Sequence, residues 1–262
     1  MTVGLTDERF WDEYWQTVRL PLEVDPSESL LAAAIIGVFE RFLATPQPLS
    51  LLELGGAPGQ YSACLHRRLG HAITILDNSP IGCEKARENF ELLGLPARVV
   101  EGDMFEPPAE LGNFDAVFSL GLIEHFVDFT QAVRAHVSLV KPGGLLVLGV
   151  PNYRGLNELV LRRLSPSFLA WHGLESMDAS AWGGFEAELD LTRLFRGYLG
   201  GFEASTFWRC ESRKIVDRAL HQALWRLGKL LGRKEARLLR RFNGRFWSAY
   251  LMGVYRVSQT PR

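Results

Sequence analysis

From residue 51 to residue 150, short apolar runs alternate with longer amphipathic stretches. Leu51–Leu54, His71–Asp77, Ala97–Asp103, Phe114–Leu120 and Leu145–Val150 have strand length and apolar or β-branched composition. Between them, Gln60–Leu69, Pro80–Leu93 and Phe129–Val140 carry helical spacing. Gly94 stops the second of these helices, and Lys141-Pro142-Gly143-Gly144 stops the third. Regular alternation of this kind predicts a parallel sheet with helices on both faces, joined by right-handed crossovers.

The flanks read differently. In residues 5–20, Phe10, Trp11, Tyr14 and Trp15 recur among acids at helical spacing. Such a helix either docks on the core or forms a lid. Leu30–Leu43 is apolar nearly all round, so it belongs against the sheet, with Ser27 or Ser29 as its cap. At Pro151 the alternation breaks into an insert over residues 151–187. A helix over Glu188–Leu199 and a sixth strand over Glu203–Cys210 are expected next. Ile215–Leu231 predicts a strongly amphipathic helix, and a second helical piece extends to about Phe242. Ser248–Val257 closes the chain as a strand without a crossover helix, so it is expected to enter antiparallel. The expected layout is one domain: a helical cap over 1–45, a ligand-binding core over 46–150, the insert, and a sheet edge over 188–262. A basic helical segment, 211–246, interrupts that edge.

At 262 residues the chain can bury one large core, or one domain with an elaboration. Its net charge of −1 argues against nucleic acid as the main partner. That average hides an asymmetry. Residues 1–150 hold 10 Lys+Arg against 20 Asp+Glu, net −10, and residues 151–262 hold 19 against 10, net +9. Cys64, Cys83 and Cys210 have neither metal spacing nor a disulfide framework, so a reducing, cytoplasmic setting is expected. The longest apolar run, Leu30–Phe39, is too short to span a bilayer.

The chemistry concentrates at Leu51–Ser62, where a strand and an acid lead through a glycine turn into a helix. A dinucleotide fingerprint starting at Gly55 would need glycine where Ala57 and Gln60 stand. A P-loop would need Gly-Lys-Ser/Thr, and none follows. The run Glu53-Leu54-Gly55-Gly56-Ala57-Pro58-Gly59 resembles the first motif of the class I S-adenosylmethionine (SAM) methyltransferases, with Ala57 in place of the middle glycine. The likeness covers roughly residues 45–210 and 248–257.

That resemblance implies an α/β Rossmann-like fold of seven strands, mostly parallel with the last antiparallel. It implies SAM as methyl donor and S-adenosylhomocysteine (SAH) as product. Glu53, Gly55, Gly56, Ala57, Gly59 and Tyr61 would form the first part of the cofactor cradle. Asp77 and Asn78 would meet the ribose, Asp103 and Met104 the adenine, and Ser119 and Leu120 the methionine portion. Ser119–Phe126 is similar to the segment after the fourth strand in ubiquinone- and menaquinone-pathway methyltransferases, where a histidine follows an acid or a second histidine. His125 is accordingly a candidate base, or simply a histidine bonded to the helix that follows.

The acceptor would be small or lipid-like, presenting oxygen, nitrogen, sulfur or carbon, with Trp11, Tyr14, Asn152, Tyr153 and His172 as contacts. Trp171, Trp182 and Phe185 either wall that pocket or give the insert its own aromatic core. No metal is implied. Ala57-Pro58-Gly59 has some likeness to RNA 2′-O-methyltransferases, but their Lys-Asp-Lys-Glu set is not visible, nor is a base-methylation motif after the fourth strand. A nucleotide- or NAD-binding protein of the same fold without methyl transfer is the other reading. The basic stretch 213–245 either packs on the domain or on a second subunit, or meets anionic lipid. The sequence leaves the oligomeric state open.

Overall fold

A computed structural model describes residues 4–231 and 242–259. The helices are α1 (Glu8–Gln16), α2 (Leu30–Leu43), α3 (Gln60–Leu69), α4 (Pro80–Leu93), α5 (Phe129–Ser138), α6 (Leu156–Leu164), α7 (Pro166–Leu169), α8 (Trp182–Glu188) and α9 (Ile215–Leu231). The strands are β1 (Ser50–Leu54), β2 (Ala72–Asp77), β3 (Arg98–Glu101), β4 (Phe114–Leu120), β5 (Val140–Pro151), β6 (Thr192–Leu199) and β7 (Tyr250–Arg256). They form a seven-stranded sheet in the order β3-β2-β1-β4-β5-β7-β6. β7 lies between β5 and β6 and is antiparallel to both.

The period-two alternation of the strands builds two cores, because neighbouring side chains leave the sheet on opposite faces. Leu51, Ala116, Phe118 and Val147 join Ile35, Phe39, Ala63 and Phe90 from α2, α3 and α4. Leu52, Val117 and Leu146 join Ala132, Val133, Trp182 and Phe185 from α5 and α8 on the other face. Ser29 caps α2 by accepting from Ala32 N, Ser79 caps α4 with Pro80 just inside, and Gly94 ends α4 in the left-handed region.

Three expectations are corrected. Glu188–Leu199 is not a helix: α8 ends at Glu188 and β6 occupies Thr192–Leu199. The leucines there mimic helical spacing, but backbone pairing with β7 decides the conformation. Glu203–Cys210 is not a strand. It holds a one-turn 3₁₀ helix, Ala204–Phe207, capped by Glu203 and anchored by buried Phe207. Lys141–Gly144 is not a turn ahead of the fifth strand but lies within β5. The register shifts between Phe114 and Ala116, so Asp115 faces the extra residues, and Lys141 pairs with it at 2.7 Å. In α9, Leu220 and Leu224 pack against a satellite core of α6 and α7, whereas Ile215, Val216, Leu227 and Leu230 are exposed among the described residues. Most of the expected second helical piece lies outside the described residues.

Candidate active site

The carboxyl ends of β1, β2 and β4 converge at one edge of the sheet, where ligands of open α/β folds bind. After β1 the chain turns through Gly55, with φ of +59°, and Gly59, with φ of +82°. Space as well as backbone angle demands glycine at 59, since a Cβ there would sit 2.6 Å from the Phe90 ring. Glu53 lies buried beneath this turn and accepts from Ser62 Oγ at 2.5 Å. Burial pushes its pKa up to about 8 against the opposing Ser62 bond, and Asp77 nearby adds to the rise. Its carboxyl supports the turn. Glu53, Gly56, Ala57, Gly59 and Tyr61 are not among the residues that line the two cavities described next.

Asp77 ties the turn to β2. Its Oδ2 accepts from Ala57 N at 3.1 Å and its Oδ1 from Ser79 N at 3.0 Å. Burial raises its pKa, and hydrogen bonds from Ser79, Ala57 and Asn78 oppose that rise. Asp77, Asn78, Asp103, Met104 and Gly55 line one cavity of about 220 Å³. Asp103 is shaped by its own turn, accepting from Phe105 N at 2.9 Å.

A second cavity, of about 560 Å³, opens beside the first, and Trp11 and His125 line both. Its walls are aromatic: Tyr14, Tyr153, Phe168, Trp171, His172 and Tyr250 among others. Leu120, Glu124 and Arg209 also line it. His125 Nδ1 lies 3.0 Å from the Trp171 carbonyl, so the nitrogen carries the hydrogen and donates it. The bond runs to the insert, not to the helix that follows. Burial, with His172 close by, pushes His125 down to about 3; burial pushes His172 down to about 4. Both rings are therefore neutral at neutral pH and weak as bases, which corrects the expectation that His125 takes a proton there.

Helix α1 covers both cavities. Asp12 Oδ1 accepts from Ser79 Oγ at 2.5 Å, beside Asp77, and Leu5 N donates to the His125 carbonyl at 2.7 Å. No residue of α1 is fully buried, so the helix is an outer wall rather than part of the core.

Other expected contacts fall elsewhere. Ser119 is buried facing α5, 2.8 Å from His136 Nε2. Asn152 is buried with its amide donating to the Ser248 and Arg245 carbonyls, so it pins the exit of β5 to the approach of β7. Trp182 and Phe185 belong to the main core beside Tyr255, not to the pocket wall. Conversely, Glu124, Phe168, Arg209 and Tyr250 were not foreseen as cavity residues. The available signal for Glu124 was a single acid within the apolar run Leu120–Phe126.

A methyltransferase-domain family matches residues 51–144. The ubiquinone biosynthesis O-methyltransferase of Methylobacterium nodulans is 31% identical over 148 residues, covering 56% of this chain and 57% of that protein. The chain spans about half the length of such curated relatives. Among solved structures, the N-methyltransferase NodS from Bradyrhizobium japonicum WM9, crystallised with SAH, superposes with a TM-score of 0.56 at 14% identity, covering 96% of this chain and 99% of that one. SpnF, crystallised as a 4+2 cyclase, superposes with a TM-score of 0.61 at 14% identity, covering 98% and 97%. These matches show that residues 51–144 are similar to a methyltransferase domain, and that the seven-stranded sheet with its glycine turn has the fold of the solved structures.

Proposed function

We propose that the protein transfers a methyl group from SAM to a small or lipid-like acceptor held in the aromatic cavity. The observation that carries this reading is the shared wall. The cavity lined by Gly55, Asp77, Asn78 and Asp103 meets the aromatic cavity at Trp11 and His125. The residues fit the cofactor: two acids and an open glycine turn line a space of limited size. Asp77 and Asn78 would hold its ribose, and Asp103 and Met104 its adenine.

The bound cofactor supplies an already electrophilic methyl carbon. The chain has to align the acceptor with that carbon and keep water out, so proximity carries most of the rate. Aromatic side chains around the second cavity supply the dry wall. The quinone-pathway relatives support an acceptor with a planar, apolar body. Peripheral contact with anionic lipid through the basic stretch 213–245 belongs to the same reading. Among the described residues, no helix is long and apolar enough to cross a membrane.

Thermal unfolding with SAM, SAH and NAD tests the cofactor. A ligand at a hundredfold its Kd stabilises by about 2.7 kcal/mol, which for a domain of this size raises Tm by about 5–10 °C. SAH is expected to give that shift and NAD none. A screen of phenols, quinols and amines scored by SAH release then identifies the acceptor. The SpnF likeness favours one second reading, a cofactor-binding fold without methyl transfer. Protection by SAM without SAH release from any acceptor would support it.

A further inference from the structure

Glu124 is 1% exposed, lies in the one-turn 3₁₀ helix Ile123–His125 and lines the aromatic cavity. Its carboxyl folds back over the end of β4, where Gly121 adopts φ of +83° and a Cβ would lie 3.4 Å from Glu124 Oε1. Oε2 is out of contact with water and has no hydrogen-bond partner among the described residues. Tyr153 and Tyr250 line the same cavity. A buried polar atom left unpaired is costly, so such an atom calls for an explanation. A hydroxyl bound in this cavity would give Glu124 Oε2 its partner.

We propose that Glu124 receives the proton of the acceptor's hydroxyl, that Tyr153 and Tyr250 hold the oxygen, and that the acceptor is a phenol, catechol or hydroquinone. The inference rests on the methyl-transfer reading above. The acceptor's O–H bond breaks, its electron pair stays on the oxygen, and the proton bonds to Glu124 Oε2. The two tyrosine hydroxyls donate to the oxygen so charged.

The acidity is matched. Burial pushes Glu124 up to about 8, into the range where a carboxylate exchanges a proton with a phenol, whereas His125 and His172 are held far below. An aliphatic alcohol is too weak an acid for this exchange. The aromatic walls suit a flat ring. The other titratable groups facing this space are Tyr14 and Glu13 from α1, Tyr153 after β5, Tyr250 from β7, His125, His172, and Arg209.

The probe is catechol, whose phenolate absorbs at longer wavelength than its phenol, added to the SAH-bound full chain. Between about pH 8, above which Glu124 is ionised and can take a proton, and the probe's own higher pKa, binding to the wild type is expected to bring up the phenolate band. Glu124→Gln should abolish the band while binding SAH within twofold of wild type, and Glu124→Asp should restore part of it. With a hydroxyl acceptor from the screen, Glu124→Gln should lower kcat by about a hundredfold or more and remove the rise of kcat/KM as pH approaches about 8. If Glu124→Gln does not fold, Tyr250→Phe gives the readout, with a weakened band. A phenolate band or kcat within threefold of wild type in Glu124→Gln overturns the proposal. So does tighter binding of N-methylbenzylamine than of catechol. Failure of the wild type to bind SAH, with the phenolate band intact, overturns the cofactor reading and not the proton acceptance at Glu124.

Discussion

Two kinds of buried acid sit side by side at this site. Asp77 faces the smaller cavity and has its oxygens partly occupied by backbone N–H donors. Glu53 and Glu124 accept no backbone N–H bond from a neighbouring strand end and are pushed up to about 8 by burial. That difference has a consequence for stability. A glutamate raised in the folded chain binds its proton more tightly there than when unfolded. Its contribution is complete below the ordinary value of 4.5 and is lost as pH rises through about 8. His125, His172 and His136 are depressed from 6.5 to about 3, 4 and 4, so they cost stability as pH falls below 6.5. The histidines, still half charged in the unfolded chain at pH 6.5, act in the opposite direction at the low end of the window between pH 6.5 and 8, so the part due to Glu53 is read as the difference between wild type and variant. Over that window the wild type should lose stability as pH rises, by on the order of 1–2 kcal/mol for each glutamate. Denaturant unfolding of Glu53→Gln at pH 6.5 and 8 checks this. The variant should show a shallower loss, and an equal slope would remove Glu53 as its source.

At the scale of elements, a helix with no fully buried residue has the most to do with access. α1 is held by edges: Asp12 on Ser79, Leu5 on the His125 carbonyl, and Trp15 close against Gly82 of α4. Deleting residues 1–20 should leave the core folded, with Tm lowered by only a few degrees, about 1 kcal/mol in stability. Meanwhile SAH dissociation should accelerate about tenfold or more, since the loss of a wall acts chiefly on off-rates. Stopped-flow displacement of SAH measures it. An unchanged rate, with unchanged acceptor KM and kcat, would show that α1 is only a docked helix. The elements differ in how far their sequence announced them. α2, α3 and α4 were legible to the residue because caps and glycines punctuate them. β6 was not, because an edge strand of mixed exposure carries no clean alternation and is specified by its partner β7.

Across the whole molecule, the two cavities are one system joined at Trp11 and His125. Cofactor and acceptor binding should then be coupled, and the coupling must be reciprocal. SAH should tighten catechol binding by about five- to tenfold, and catechol should tighten SAH by the same factor, within the usual range of such couplings. Trp11→Ala should reduce both together. Calorimetric titrations in both orders measure this, and equal affinities with and without the other ligand would show two independent sites.

The alternation of apolar runs and the glycine turn determined the parallel core, the antiparallel last strand and the strand ends at which acids stand. Those features are local: period, caps and turn chemistry are written in neighbouring residues. Which of those acids faces a ligand was decided only in three dimensions. Glu53 and Asp77 both end apolar strands in the sequence, but the turn folds over one and leaves the other at a cavity. Asn152 and Ser119 fit the expected positions, yet each is consumed by a buried partner far away along the chain. Glu124 became visible as a site residue only when Tyr153, Tyr250 and the insert closed around it. Burial and leftover hydrogen-bonding capacity are properties of that enclosure, and no short stretch of sequence contains them.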